Sequence, residues 1–336
     1  MQRPSEIVRP LRRRGLIAEG RAPAFPFRVG RVTIGPRRLP VRENGRRRGA
    51  GAAKPGAAMT ETSMFLSLDE LAAQVPDGVS LALPKDSAGA PMAAVRALVR
   101  RGAKVLHLIN VPTSGLATDI LIGAGAARLV ETSGVSLGEF GGAPRFNDAV
   151  RNGTVEVRDA TCPAIYAALQ AGEKGIPFIP LRGVIGSDVL GFRDDWKVMD
   201  NPFAEDKDPV LLLPAIRPEV ALFHARRADA HGNVFVGVQG ELAIMAHAAE
   251  RTLVTVEEIV EGDLMGSEES AAGTVPALYI SGIAEAPRGA WPLGFLDMYP
   301  PDEAHLADYA QRARTAEGFA DYAAREIMPT PDMAEA

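Results

Sequence analysis

The feature that most constrains this 336-residue chain is an alternation that begins near residue 60 and runs almost to the end. Short aliphatic, β-branched runs alternate with longer amphipathic ones. VSLALP (79–84), KVLHLIN (104–110), GTVEVRD (153–159), IPFIPLRG (176–183), VLLLPAI (210–216), VALFHA (220–225) and TLVTVEEIV (252–260) read as strands, and ALYISGIAEAP (277–287) closes the sheet. TETSMFLSLDELAAQV (60–75), APMAAVRALVRRG (90–102), PAIYAALQAGEKG (163–175), GELAIMAHAAER (240–251) and the polar segment 302–327 read as helices. LATDILIGAGAARLV (116–130) supplies a helix or two. Ser67 stands as an N-cap ahead of Asp69 and Glu70, and Gly102 as a C-terminal stop. Strands fed by helical crossovers pair in parallel, and a parallel sheet must be covered on both faces. The predicted fold is therefore α/β, an open, mostly parallel twisted sheet with helices on both faces.

Two long stretches break the rhythm, residues 131–147 and 183–208. Long irregular segments inside a compact domain are usually binding loops or lids. In an open parallel sheet, ligands sit beyond the carboxyl ends of the strands. Candidate site residues are therefore sought in the loops after each strand.

The first 58 residues differ in kind. They hold fourteen Arg and one Lys against three Glu, a charge of +12, so the rest of the chain carries −17 of the net −5. Arg, Pro, Gly and Ala dominate, and such a segment buries too little apolar surface to offset its ordering entropy. It reads as a disordered arm touching nucleic acid or an anionic surface, a targeting presequence, or upstream sequence before a start at Met59. The third reading is favoured, because an ordered pattern begins directly after MTETSM. The expected division is a disordered extension over 1–58 and a single domain over 59–336. One cysteine, Cys162, excludes an internal disulfide, and no apolar run reaches the length of a spanning helix. Both features fit a cytoplasmic protein with no membrane and no nucleic-acid partner.

The densest polar stretch is HARRADAHGN (224–233). His224 is expected at or near the carboxyl end of its strand, with Asp229 to Asn233 forming the following turn. His224 and His231 lack a third ligand at usable spacing, so no metal site is expected. No GxSxG elbow exists for a serine triad. Asp229, Gly232 and Asn233 suit an Asx-type turn bonding its own backbone. In the functional reading, His224, Asp229 and Asn233 lie on the rim of a ligand cleft. GAGAA (123–127) suits close helix packing more than phosphate binding. GVIGSD (183–188) can offer N–H groups to an anion or be a plain turn. Glu257 and Glu258 are strand neighbours and face opposite sides, so one is solvated and the other paired. Glu139 sits in a Gly-flanked loop, as site acid or surface acid. Cys162 has no histidine near in sequence and reads as a buried, inert thiol.

IPFIPLRGVIGSDV, HARRADAHGNVFVG, AAERTLVTVEEIV and AEAPRGAWP, in this order and spacing, resemble the alpha subunit of family I CoA-transferases. DNPFAEDKDPVLLLPAIRPEVALFHA and the tail GFLDMY…GFADYAAREI resemble the glutaconate CoA-transferase group in particular. The resemblance spans about residues 63–328. It implies a heteromer completed by a beta subunit. It also implies no permanent cofactor, coenzyme A and its acyl thioesters being substrates. In that family a glutamate of the beta subunit, in a Glu-Asn-Gly motif, attacks the thioester, and CoA passes to a second carboxylic acid. Donors for the oxyanion are needed nearby. Glu43-Asn44-Gly45 spells the motif, but it lies among Arg46, Arg47 and Arg48 in the head, so the match is rejected.

On this resemblance the cleft is lined by Lys85, Asp86 and Ser87 after the first strand and by Asn110 and Thr113 after the second. Glu139, Cys162, Gly186 and Ser187 join them from later loops. Lys85 either pairs with a substrate carboxylate or CoA phosphate, or is a solvated turn lysine. The sequence departs from the family pattern at Pro84-Lys85-Asp86, where a Gly-Gly-Phe turn is usual. It departs again at Cys162, where relatives hold a Gln or an acid, and at Trp291 within the usual Gly-Ala-His-Pro. Two other outcomes stay open: hydrolysis or ring cleavage of an acyl-CoA, and a non-catalytic structural or ligand-sensing role.

Overall fold

A computed structural model of the chain describes residues 63–328. The readings made for residues 1–58, including Glu43-Asn44-Gly45, lie outside the described residues.

The first described helix is α1 (Leu68–Ala73), fixed by a capping box. Ser67 N donates to Glu70 Oε2 at 2.8 Å, and Glu70 N donates to Ser67 Oγ at 3.2 Å. This reciprocal pair satisfies two orphan amides and contributes about 1 kcal/mol. Strand β1 (Ser80–Pro84), helix α2 (Met92–Arg101) and strand β2 (Leu106–Val111) follow. Gly102 ends α2 in the left-handed region at φ +77° and returns its N–H to Leu98 O.

Helix α3 (Leu116–Gly123), strand β3 (Ala127–Thr132), helix α4 (Pro144–Asn152), strand β4 (Glu156–Asp159) and helix α5 (Cys162–Glu173) complete the first half. Here the sequence reading needs two corrections. Segment 116–130 is one helix and the start of a strand, because Gly125 at φ +65° ends the helix before Ala127. Segment 131–147 is not all irregular, because Pro144 opens α4 at a position where its missing N–H costs nothing.

Next come β5 (Phe178–Leu181), β6 (Lys197–Asp200) and β7 (Pro209–Pro214). They form a separate antiparallel sheet in the order β5-β7-β6, rather than joining the parallel one. The second half continues with β8 (Val220–Asp229), β9 (Val234–Phe235), α6 (Gly240–Ala248), β10 (Arg251–Val260), α7 (Glu268–Ala271), β11 (Thr274–Val275) and β12 (Gly282–Glu285). Helices α8 (Glu303–Arg312) and α9 (Ala316–Glu326) close the described chain.

The main sheet is mixed but mostly parallel. Strands β12, β10, β8, β1, β2, β3 and β4 run side by side in parallel, and the short β9 and β11 add antiparallel pairs beside the far half of β8. Side chains alternate between its faces. Leu81 and Leu83 of β1 pack with Met92, Leu98, Leu116 and Tyr309 on one face. Ala82, Ile109 and Phe223 pack with Leu169, Leu242 and Met245 on the other. Each fully buried Leu or Phe stabilises the fold by about 1.5–3 kcal/mol. The sequence expectation of an open α/β sheet covered on both faces is met.

Candidate functional site

The carboxyl ends of β1, β2 and β3 open into a cleft of about 710 Å³, within the range of small-molecule sites. Lys85, Asp86 and Ser87 enter from the loop after β1. Thr113, Ser114 and Gly115 come from the loop after β2, and Ser136 to Phe140 from the loop after β3. The opposite wall comes from far along the chain, with Leu293, Gly294, Pro301, Glu303 and Leu306.

Asp86 shapes this cleft by binding backbone. Its carboxylate accepts from Gly115 N at 3.0 Å and Leu116 N at 3.1 Å, the first amides of α3. An anion at a helix N-terminus is favoured by the dipole and by the orphan N–H groups. Burial nonetheless pushes the Asp86 carboxyl up, the two amide bonds only partly opposing it. Lys85 Nζ lies 2.8 Å from Glu241 Oε1, and that bond raises the lysine further. Lys85 is thus a partly exposed cation paired within the chain to Glu241.

Ser114 differs from its neighbours. It is buried, it lines the cleft, and its Oγ has no hydrogen-bond partner. Its backbone is held, with Ser114 N donating to Gly134 O and Ser136 N to Ser114 O, both at 3.4 Å. The hydroxyl oxygen is itself buried, so it lies within the cleft wall and not on its open face. Glu139 is exposed at the cleft, in a turn flanked by Gly138 and Gly141 at φ +62° and +99°.

The remaining sequence candidates lie elsewhere. Asn110 is fully buried beneath the cleft, donating to Thr132 Oγ1 at 3.1 Å and accepting from Thr118 Oγ1 at 2.8 Å, which ties β2, β3 and α3 together. Cys162 is exposed, not buried, because it is the first residue of α5, with Sγ 3.1 Å from Ser133 Oγ. Gly186 and Ser187 form a plain turn beside the small sheet, where Ser187 Oγ donates to Val184 O at 2.9 Å.

His224 also departs from expectation. It is mid-strand, because β8 continues through Arg226 and Arg227 in register with β10 as far as Asp229 opposite Val260. Asp229 and Asn233 form a buried Asx-type turn. Asp229 accepts from His231 N, Asn233 N and Asn233 Nδ2, and from Leu264 N, each at 2.9 Å. None of His224, Asp229 and Asn233 is among the residues lining the cleft. Glu257 and Glu258 divide as their alternation requires, with Glu257 buried and paired and Glu258 exposed.

Sequence reasoning missed Ser114, Ser136 and the whole 293–306 wall. Ser114 was within reach, since it follows Thr113 in a strand-end loop. The far wall has no local signal, because only the tertiary fold brings it to the cleft.

A second cavity of about 260 Å³ lies under α5. Buried Arg193 bonds Glu131 Oε1 at 2.8 Å, both Asp195 oxygens at 2.8 Å and Asp159 O at 3.2 Å. Its guanidinium also stacks on Trp196 at 4.2 Å. Among the described residues, no group of three or more His, Cys, Asp and Glu could hold a metal ion, and no helix is long and apolar enough to cross a membrane.

Comparison with known proteins gives a consistent result. A family model described as coenzyme A transferase matches residues 65–286. The A-type subunit of 3-oxoadipate CoA-transferase from Pseudomonas knackmussii is 33% identical over 78% of this chain and 92% of that protein. A cholesterol ring-cleaving hydrolase IpdA subunit of Rhodococcus jostii is 29% identical over 80% of this chain and 93% of that protein. Among solved structures, glutaconate coenzyme A-transferase from Acidaminococcus fermentans superposes with a TM-score of 0.75 at 25% identity, covering 81% of this chain and 91% of that one.

Proposed function

The chain belongs to the coenzyme A transferase family, and from that premise we propose that it is the alpha subunit of a heteromeric enzyme moving CoA from an acyl-CoA to a carboxylic acid. A beta-type partner supplies the nucleophilic glutamate. This chain supplies one side of the pocket. The observation that supports the reading most is the convergence of three consecutive parallel strands on one cleft, with an unpartnered Ser114 hydroxyl in its lining.

The chemistry assigned to this chain is binding and electrostatic. When the partner's carboxylate adds to the thioester carbonyl, negative charge develops on that oxygen. A preorganised donor pointed at it lowers the barrier more than it stabilises the ground state. Ser114 Oγ, buried at rest, is that donor in this reading once its side chain turns into the cleft, and Ser87 and Thr113 flank it in the lining. Lys85 favours an acyl group or acceptor carrying a second carboxylate. Its Glu241 partner keeps it charged and in place. Leu137, Phe140, Leu293 and Leu306 give the acyl chain an apolar bed.

The ring-cleaving hydrolase relative motivates a second reading, in which water replaces the acceptor acid and either the thioester or a ring carbon–carbon bond of the acyl-CoA is the bond broken. One experiment separates the two. The chain is co-expressed with its beta-type partner, given an acyl-CoA with and without acceptor acids, and quenched with hydroxylamine or borohydride. Transfer predicts a label on a glutamate of the partner and a new acyl-CoA only when an acceptor is present. Free acid released without acceptor, and no label, overturns transfer in favour of hydrolysis. Rapid thioester turnover by the purified chain alone overturns the shared site.

A further inference from the structure

A buried polar relay stands behind the cleft. His224 is fully buried in the middle of β8. Its Nε2 lies 2.8 Å from Glu257 Oε1 on β10, and its Nδ1 lies 2.9 Å from Thr255 Oγ1. Glu257 also accepts from Tyr299 OH at 2.5 Å and from Arg288 N at 2.6 Å. Burial works to raise the Glu257 carboxyl, but the bonds from His224, Tyr299 and Arg288 outweigh it and hold the carboxyl below its ordinary range. Burial lowers His224, so its ring is neutral. The ring then donates from Nε2 to Glu257 and accepts at Nδ1 from the Thr255 hydroxyl.

The relay grips the far wall directly and meets the near wall through the backbone of His224. On the near side, His224 N donates to Gly89 O at 2.7 Å, two residues past Ser87. Gly89 has φ +84°, and a Cβ there would strike the His224 carbonyl oxygen. On the far side, Arg288 N is fixed by Glu257 and Ala290 N donates to Tyr299 OH at 3.2 Å. Gly289 lies so close to the imidazole that a Cβ would fall 2.6 Å from its Cε1. Phe295 packs on the same ring with centroids 4.6 Å apart. Leu293 and Gly294, between these contacts, line the opposite wall. Ala93 N completes the frame by donating to Gly289 O at 2.8 Å.

Stability alone does not call for such a device. Buried ionic groups replaced by well-packed apolar side chains are often neutral or stabilising. What a carboxylate with three directional donors adds is fixed geometry. We propose that Glu257, with His224 and Tyr299, is a positioning relay that sets the separation of the two cleft walls, the loops 85–89 and 288–294, without touching substrate. Its effect on turnover rests on the transfer reading above, whereas its effect on the loops does not.

The test compares wild type, Glu257→Gln, Tyr299→Phe and a control, Arg193→Lys, which perturbs a buried ion network outside the cleft. Hydrogen–deuterium exchange is followed across the whole chain, and steady-state transfer in the assembled enzyme. Both relay variants are expected to exchange at least tenfold faster in segments 85–91 and 286–296, with the rest of the sheet protected as in wild type. Their kcat falls tenfold or more while KM for the thioester moves less than threefold, and the control changes neither the two segments nor kcat. Exchange within twofold of wild type in both segments overturns the relay, as does an equal rise in the control. Should Glu257→Gln fail to fold, Tyr299→Phe decides, since it removes one hydroxyl and no volume beyond it. Absence of transfer by the wild-type assembly overturns the functional reading, and the exchange result still decides the relay.

Discussion

Two polar regions flank the same stretch of sheet and behave in opposite ways. The cavity under α5 holds more charge, with Arg193, Glu131 and Asp195 in direct contact and His107 3.6 Å from Glu131. The cleft beyond β1, β2 and β3 holds hydroxyls, a paired lysine and an apolar bed. In the first region Arg193, Glu131 and Asp195 use their hydrogen bonds on one another, although His107 Nε2 is buried without a partner. In the second, a buried hydroxyl is left with capacity to spare. Where the groups sit, and not charge density, separates the two: the larger cleft is lined by the loops beyond the strand ends, while the smaller cavity is bordered by ion pairs made within the fold.

The largest effects should come from breaking the bracing. Arg193→Ala leaves the Glu131 carboxylate buried without its guanidinium, a loss of about 3–5 kcal/mol for a buried pair. Denaturant unfolding should show that loss, while kcat per folded molecule stays within twofold. A large fall in kcat with unchanged stability would reverse the roles assigned to the two regions.

Asp119 offers a buried acid of intermediate character. It accepts from Phe146 N and Tyr309 OH, both at 2.7 Å, yet burial raises its pKa to about 6. The folded state therefore holds this proton more tightly than the unfolded state, whose reference value is 3.8. Its contribution is greatest below that reference and is lost as pH rises through about 6. The shift corresponds to about 3 kcal/mol. The stability of wild type relative to Asp119→Asn should fall by about that amount between pH 4 and 7. A difference that is flat with pH, or that rises, would show Asp119 to be ionised without cost.

How far the sequence revealed these regions follows from the range of each signal. Strand β1, helix α2 and the Ser67 cap are local patterns, and all were legible. Helix α4 was not, because its apolar stripe is short, Phe146, Ala149 and Val150 alone, and it follows directly on the Gly-rich run 138–142. Strand β6 was not, because all four of its residues are exposed and nothing alternates. His224 seemed to end its strand because Arg226 and Arg227 look like loop residues, whereas pairing with β10 carries the strand on. In the cleft, Lys85 to Ser87, Thr113 and Glu139 were named from the family resemblance together with their place after the strands, a reasoning that also named Asn110, Cys162, Gly186 and Ser187, which do not line it. The wall from Leu293 to Leu306 was not legible, since it depends on where α8 packs. The partners of Arg193 are equally non-local, with Glu131 62 positions away.

Ser114→Ala sharpens the contrast from the other side. Removing one donor from an oxyanion site lowers kcat by roughly 100-fold. Stability should change by less than about 0.5 kcal/mol, since no hydrogen bond is lost and an unpaired buried hydroxyl disappears. Transfer kinetics and unfolding on the same preparation measure both. Unchanged kcat would return Ser114 to the structural side of the comparison.

Asp86 sits on the boundary between the two behaviours and should show a modest effect on both fold and turnover. Its carboxylate lines the cleft, yet both its bonds go to the first amides of α3. Asp86→Ala strips those amides of their acceptor, a loss of about 1 kcal/mol by analogy with cap removal. It also frees the chain between Thr113 and Leu116 and shifts the Ser114 hydroxyl, so kcat falls more than stability alone would account for. Asp86→Asn keeps one acceptor oxygen and should recover part of the stability, while its amide group repels the N–H it faces. A variant order of wild type, Asn, Ala in both unfolding free energy and kcat is expected. If Asp86→Ala lost activity with no loss of stability, the carboxylate would be a substrate contact, and the line between bracing and binding would run through the cleft itself.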